Sequence, residues 1–101
     1  FKAKEIKLIG GGSNSPLWRQ MASDVCNLPV KLPSNPEAAA FGAALQAFMV
    51  LEGKASISEI VKDYVLMDEA KTCHPDPSSV KVYKQSYRSW LDSVVAMGPL
   101  F

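Results

Sequence analysis

Three consecutive glycines, Gly10, Gly11 and Gly12, separate an apolar run containing Ile6, Leu8 and Ile9 from a helix start marked by Ser15 and Pro16. Without Cβ atoms the backbone there can take positive φ and let a ligand lie against the main chain. Ser at an N-cap accepts from an unpaired N–H of the first turn, and Pro at the first helical position gives up an N–H that has no helical partner. Free amides and the positive end of the helix dipole favour phosphate, ribose or other anionic and polar groups. Gly10, Gly11, Gly12 and Ser15 are therefore the candidate binding residues, and a phosphorylated ligand is the expected guest. Spacing alone leaves open a turn that serves only the backbone. No Gly-Lys-Ser/Thr follows at P-loop distance, and Ser15 stands where a dinucleotide fingerprint needs its third glycine.

The elements around this turn follow from punctuation and periodicity. Ile6, Leu8 and Ile9 form one strand and Val30 to Leu32 a second, parallel to it through the intervening helix. Two parallel strands alone leave edges and a face uncovered, so further strands are expected from elsewhere. Pro33-Ser34-Asn35-Pro36 breaks the chain, and Glu37 opens a helix whose positions 38, 41, 45 and 48 recur at steps of three and four. Gly42-Ala43-Ala44 removes bulk from that helix and suits a close backbone neighbour. Gly53 ends it. Ser56 and Glu59 form a capping box for a short helix with Ile57, Ile60, Val61 and Tyr64 facing inward. A polar connection, Met67 to Asp76, carries Cys73 and His74, adjacent residues that point apart and lack an orienting partner for catalysis. Asp76-Pro77 then caps the last helix, whose apolar face is Val80, Tyr83, Tyr87, Trp90, Leu91 and Val94, and Gly98-Pro99 stops it. Those aromatics are expected to clamp the helix back onto the body of the protein, a homodimer contact being the other use. Trp18 is expected to be packed and Arg19 solvated.

With 101 residues, 48% of them hydrophobic, the chain is the size of one small domain, able to bury ~60–65% of its unfolded surface. It starts at Phe1 without an initiator methionine and enters a strand almost at once, so it reads as cut from something longer. Eleven basic and ten acidic residues give a formal charge of +1, against broad capture of nucleic acid or an anionic membrane. No apolar run reaches the ~18 residues of a membrane span. Cys26 and Cys73 lack metal-type spacing and His74 is the sole histidine, so no metal site is expected, and reduced thiols in the cytoplasm are the default.

The run GGGSNSPLWRQMASDVCNLPV, then PEAAAFGAALQAF and a late His74-Pro75-Asp76-Pro77 leading into a helix with Tyr83 and Tyr87, resembles the C-terminal domain of the FGGY carbohydrate kinases. Ser15-Pro16-Leu17-Trp18-Arg19-Gln20 points to the xylulokinase branch. The resemblance covers essentially the whole chain and implies an α/β fold, helix-rich with a small parallel sheet portion: residues 1–101 would be a single unit, a fragment of an actin-like, ribonuclease-H-like ATPase lobe. It implies ATP-dependent phosphorylation of a sugar hydroxyl, D-xylulose to D-xylulose 5-phosphate, with ATP and a ketose as partners and Mg²⁺ held mainly by residues outside this chain. Gly11 and Gly12 would lie against the nucleotide and Ser15 would contact it, while Gln20 and Asp24 match as structural residues. The base that deprotonates the sugar hydroxyl belongs to an earlier part of the family's chain. None of Asp24, Asp63, Asp68, Asp76 or Asp92 inherits that role, so catalytic residues are expected to be none and this piece alone inactive. The alternatives are a kinase of the same family for ribulose, gluconate, a deoxysugar or glycerol, and a noncatalytic α/β interaction module.

Overall fold

Strand β1, Ile6–Lys7, leads through a 3₁₀ turn at Gly11–Asn14 into helix α1, Pro16–Cys26. Strand β2, Val30–Lys31, follows, then helices α2, Ala38–Leu51, and α3, Ile57–Tyr64, a second 3₁₀ turn at Glu69–Lys71 and helix α4, Pro77–Met97. The computed structural model describes residues 2–35 and 37–98. Pro36 and Pro99, assigned breaker roles from sequence, lie outside the described residues.

The expected parallel pairing is present, with Ile6 opposite Val30 and Lys7 opposite Lys31. Both strands are shorter than the apolar runs that announce them: pairing extends only through Ile6 N–H to Pro29 O at 2.9 Å and Leu8 N–H to Lys31 O at 3.0 Å, and Ile9 lies beyond it. The other edge of β2 is occupied by the connection before α4. Val30 and Cys73 exchange two backbone hydrogen bonds of 2.9 Å, and Asp68 N–H donates to Leu32 O at 2.8 Å. Satisfied on both sides, Val30 is fully buried. It forms the core with Leu32, Leu45, Ile60 and Val80, one residue from each of β2, α2, α3 and α4 and one just past β2.

The boundaries of α1 and α4 obey the expected chemistry, whereas Glu37, expected in the first turn of α2, precedes it as an N-cap without a side-chain bond. Ser15 caps α1, with Pro16 at its first position, and Asp76 caps α4 with Pro77 in the same place. α1 ends on Asn27 at φ 51°, a left-handed conformation Asn tolerates. Ser56 caps α3, but its hydroxyl accepts from Ser58 N–H rather than from Glu59, and Ile57, Val61 and Tyr64 stay exposed while Ile60 is buried.

Two faces depart from expectation. The buried side of α1 is polar, Arg19, Ser23 and Asp24, whereas Leu17, Trp18 and Val25 are exposed; the roles expected of Trp18 and Arg19 are exchanged. α4 packs on α1 through its first turns and then runs outward, leaving Tyr87, Trp90, Leu91 and Val94 exposed rather than clamped to the described residues. The radius of gyration, 18.3 Å, exceeds the ~13 Å of a compact chain of this length, and the overhang of α4 accounts for part of the difference.

Candidate nucleotide-binding turn

The glycine triplet divides into two functions. Gly10 takes φ 83° and ψ −178°, a backbone state reserved for glycine. Gly11 and Gly12 sit in the 3₁₀ turn with ordinary φ, so Gly10 alone of the three uses the positive φ that the triplet allows. A Cβ built on either would meet nothing within 4 Å. Their peptide faces are open to solvent.

What holds the turn is Ser13, which sequence reasoning passed over. Its N–H and its hydroxyl both donate to Gly10 O, at 3.0 and 2.6 Å, and Ser13 is 2% exposed. Arg19 reaches back from α1 and donates from Nη1 to Ser13 O at 2.9 Å. The guanidinium is buried, and its Nε–H has no partner among the described residues. Ser15 is half-buried where α1 begins; its Oγ accepts from Trp18 N–H at 3.4 Å and its own N–H donates to Gly12 O at 3.2 Å. The cap consumes one lone pair of that hydroxyl and leaves its O–H for another acceptor. The only sequence signal for Arg19 was its place one turn beyond the cap. Gly10, Gly11, Gly12 and Ser15 thus lie on one short bend, braced from beneath by Ser13 and Arg19.

Behind the bend, α1 is tied to the start of α4. Gln20 Nε2 donates to Asp24 Oδ1 and to His74 O, both at 2.9 Å, and Asp76 N–H donates to the same Asp24 oxygen at 2.8 Å. Gln20 and Asp24 are therefore structural, as expected of them. His74 enters this tie by its carbonyl, and Cys73 pairs its main chain with Val30 while its Sγ donates to Lys71 O at 3.6 Å. On the far side of β1 an apolar cleft of about 240 Å³ is lined by Ile9, Phe41, Gly42, Leu45, Val61 and Met67, among others. Gly42 borders that space, and a Cβ there would meet nothing within 4 Å; the close backbone neighbour expected of the Gly42 patch is absent from the described residues. Also among the described residues, no group of three or more His, Cys, Asp or Glu could hold a metal ion, and no helix is long and apolar enough to cross a membrane.

Residues 2–51, the segment containing this turn and α2, match the FGGY family of carbohydrate kinases, C-terminal domain. Xylulose kinase of Haemophilus influenzae is 39% identical over 91 residues, 90% of this chain but 18% of the relative. Autoinducer-2 kinase of Escherichia coli K12 is 36% identical over 85 residues, 84% of this chain and 16% of the relative. The solved structure of a ligand-bound xylulose kinase from Lactobacillus acidophilus superposes with a TM-score of 0.82 at 20% identity, covering 97% of this chain and 19% of that one. The chain thus spans under a fifth of the curated relatives it matches. The fold is the helix-rich α/β arrangement of an actin-like ATPase lobe. From the braced glycine bend, the family match over it and the shared fold, it follows that the chain belongs to the FGGY family of carbohydrate kinases.

Proposed function

We propose that this chain supplies part of the ATP site of a longer sugar kinase, which moves the γ-phosphoryl group of ATP onto a hydroxyl of a ketose, D-xylulose giving D-xylulose 5-phosphate and ADP. The supporting observation is the state of Gly11 and Gly12. Their φ angles are ordinary and the space outside them is empty, so neither strain nor packing within this chain explains why side chains are missing. A nucleotide lying against the main chain does.

On this reading Ser15 offers its O–H to the nucleotide, and Ser13 with Arg19 keeps the bend rigid so that little ordering remains to be done on binding. Phosphoryl transfer is chiefly positioning and charge stabilisation. The base that accepts the sugar proton, the sugar contacts and the ligands of Mg²⁺ are assigned to the rest of the kinase, and Mg²⁺ there would neutralise charge developing on the phosphates. Xylulose is preferred among substrates because the more similar of the two relatives named above is a xylulose kinase. ATP chemistry and two unpaired cysteines suit a cytoplasmic enzyme.

The test is a coupled assay of ADP release by the full-length kinase against D-xylulose, ribulose, gluconate and glycerol, with calorimetric titration of ATP. D-xylulose is expected to give the highest kcat/KM. Another preferred sugar replaces the substrate assignment, and absence of both ATP binding and turnover on any sugar leaves the noncatalytic module as the function.

A further inference from the structure

Along α4, Val80, Tyr83, Tyr87, Trp90, Val94 and Met97 recur at alternating steps of three and four, the spacing of a seam that packs on another helix. Burial falls along that seam: Val80 is 7% exposed and Tyr83 half-buried, whereas Tyr87 and Trp90 are each 57% exposed and Met97 50%. α1, on which α4 packs, has 11 residues against the 21 of α4. The interface therefore runs out while the seam continues. Tyr87 and Trp90 stack with centroids 5.6 Å apart and planes at 23°, a flat apolar platform on the overhang. One flank of the seam carries Lys81, Lys84 and Arg88, none of them in an ion pair among the described residues; the other carries Ser86 and Ser93.

We infer that this overhang docks onto a helix of the kinase lobe outside this chain, a helix that brings an apolar stripe with carboxylates along one side. The inference rests on reading the chain as part of a longer kinase. The solved xylulose kinase superposes on 97% of this chain, most of α4 included, and four fifths of that protein remains to cover the platform. Charge decides against a second copy. An antiparallel partner α4 brings the flank of Lys81, Lys84 and Arg88 against the same basic flank of the other copy, and a parallel one offers it only serine. Like charges brought together oppose association, and anions favour it.

The experiment places the photocrosslinker p-benzoylphenylalanine in the full-length kinase as Leu91→p-benzoylphenylalanine, with Val95→p-benzoylphenylalanine as a second site, in an equal mixture of ¹⁴N- and ¹⁵N-labelled protein. After irradiation, peptide mass spectrometry is expected to find same-label adducts to one acidic helical segment that precedes residue 1 of this chain. The double substitution Lys84→Glu with Arg88→Glu is expected to lower their yield at least fivefold at low salt, the loss shrinking as salt is added. Mixed-label adducts, adducts confined to residues 2–98, or a yield indifferent to charge reversal each overturn the proposal. The kinase assay on the same preparation separates the two readings: turnover with mixed-label adducts removes the docking alone, and no turnover with the expected adducts removes the substrate reading alone.

Discussion

Asp76 donates its backbone N–H to Oδ1 of Asp24 at 2.8 Å while its own carboxylate accepts from Ser79 N–H at 2.9 Å. One aspartate thus anchors the start of α4 to α1, and the other begins α4. The same Asp24 oxygen accepts from Gln20 Nε2, so α1 and the start of α4 are joined at a carboxylate that is 4% exposed. A buried acceptor of this kind contributes chiefly through what its removal leaves unpaired.

Asp24→Ala leaves the Asp76 amide and one Gln20 N–H unpaired where water reaches them only in part, and is expected to cost about 1–2 kcal/mol. Asp24→Asn retains Oδ1 and is expected to lose less than half as much. The check is hydrogen exchange in the full-length kinase: the Asp76 amide should exchange faster in the Ala variant well before α2 does. Equal exchange in both variants and the native protein would show that the tie carries no stability.

At the start of α4 the Ser78 hydroxyl, followed by the Ser79 amide and hydroxyl, holds the Asp76 carboxyl below its ordinary value near 3.8. The folded state therefore binds this proton less tightly than the unfolded chain does. The contribution of the cap is fully present above the ordinary value and is lost as pH falls through the lower, folded one. Protection of Ser79 N–H, measured against its intrinsic exchange rate at each pH, is expected to fall on acidification below about pH 4. Asp76→Asn, a neutral residue that still caps, is expected to flatten that dependence. Asp68, held low by Lys71, and Glu5, held low by Lys31, carry the same sign, so the measurement has to be resolved at Ser79 itself.

Local chemistry made the boundaries of α1 and α4 legible. Ser15-Pro16 and Asp76-Pro77 each satisfy an orphan amide and preset φ within a few residues, with no help from tertiary structure. The second partner of β2 was not legible, because Cys73 pairs with Val30 across 42 intervening positions and no periodicity marks a single bridge. The sides of α1 were misread for a related reason. Hydrophobicity assigns Trp18 inward and Arg19 outward, but the inner face is chosen by polar groups that need α1: the carbonyl of Ser13, the carbonyl of His74 and the amide of Asp76. The candidate glycines were legible, and their brace was not.

That brace has a kinetic consequence. Arg19→Ala removes a charge-assisted bond to Ser13 O, worth about 1.5–3 kcal/mol, and frees the bend from α1. If the bend holds ATP, KM for ATP in the full-length kinase is expected to rise by about 3–10-fold with a smaller change in kcat, since binding to a looser site loses more than the transfer step does. Arg19→Lys supplies a donor without the planar fork and is expected to fall between the two. An unchanged KM with a lowered thermal midpoint assigns Arg19 to stability alone.

Gly10, Gly11 and Gly12 can be separated by substitution because the structure gives them different reasons to be glycine. Gly10→Ala forces an L side chain into φ 83°, a strain of order 1–3 kcal/mol, and is expected to lower the thermal midpoint whether or not ATP is present. Gly11→Ala and Gly12→Ala meet neither strain nor contact within the chain, so the nucleotide-free midpoint should hold within a degree or so. What they do is place a methyl group where the nucleotide is proposed to lie, and KM for ATP should rise about tenfold, the equivalent of about 1.4 kcal/mol of lost binding. Nucleotide should then protect these two variants against thermal unfolding less than it protects the native kinase at the same concentration. If instead both alanine variants bind ATP normally and Gly10→Ala alone is impaired, the triplet is a turn required by the backbone, and the nucleotide lies elsewhere on the kinase.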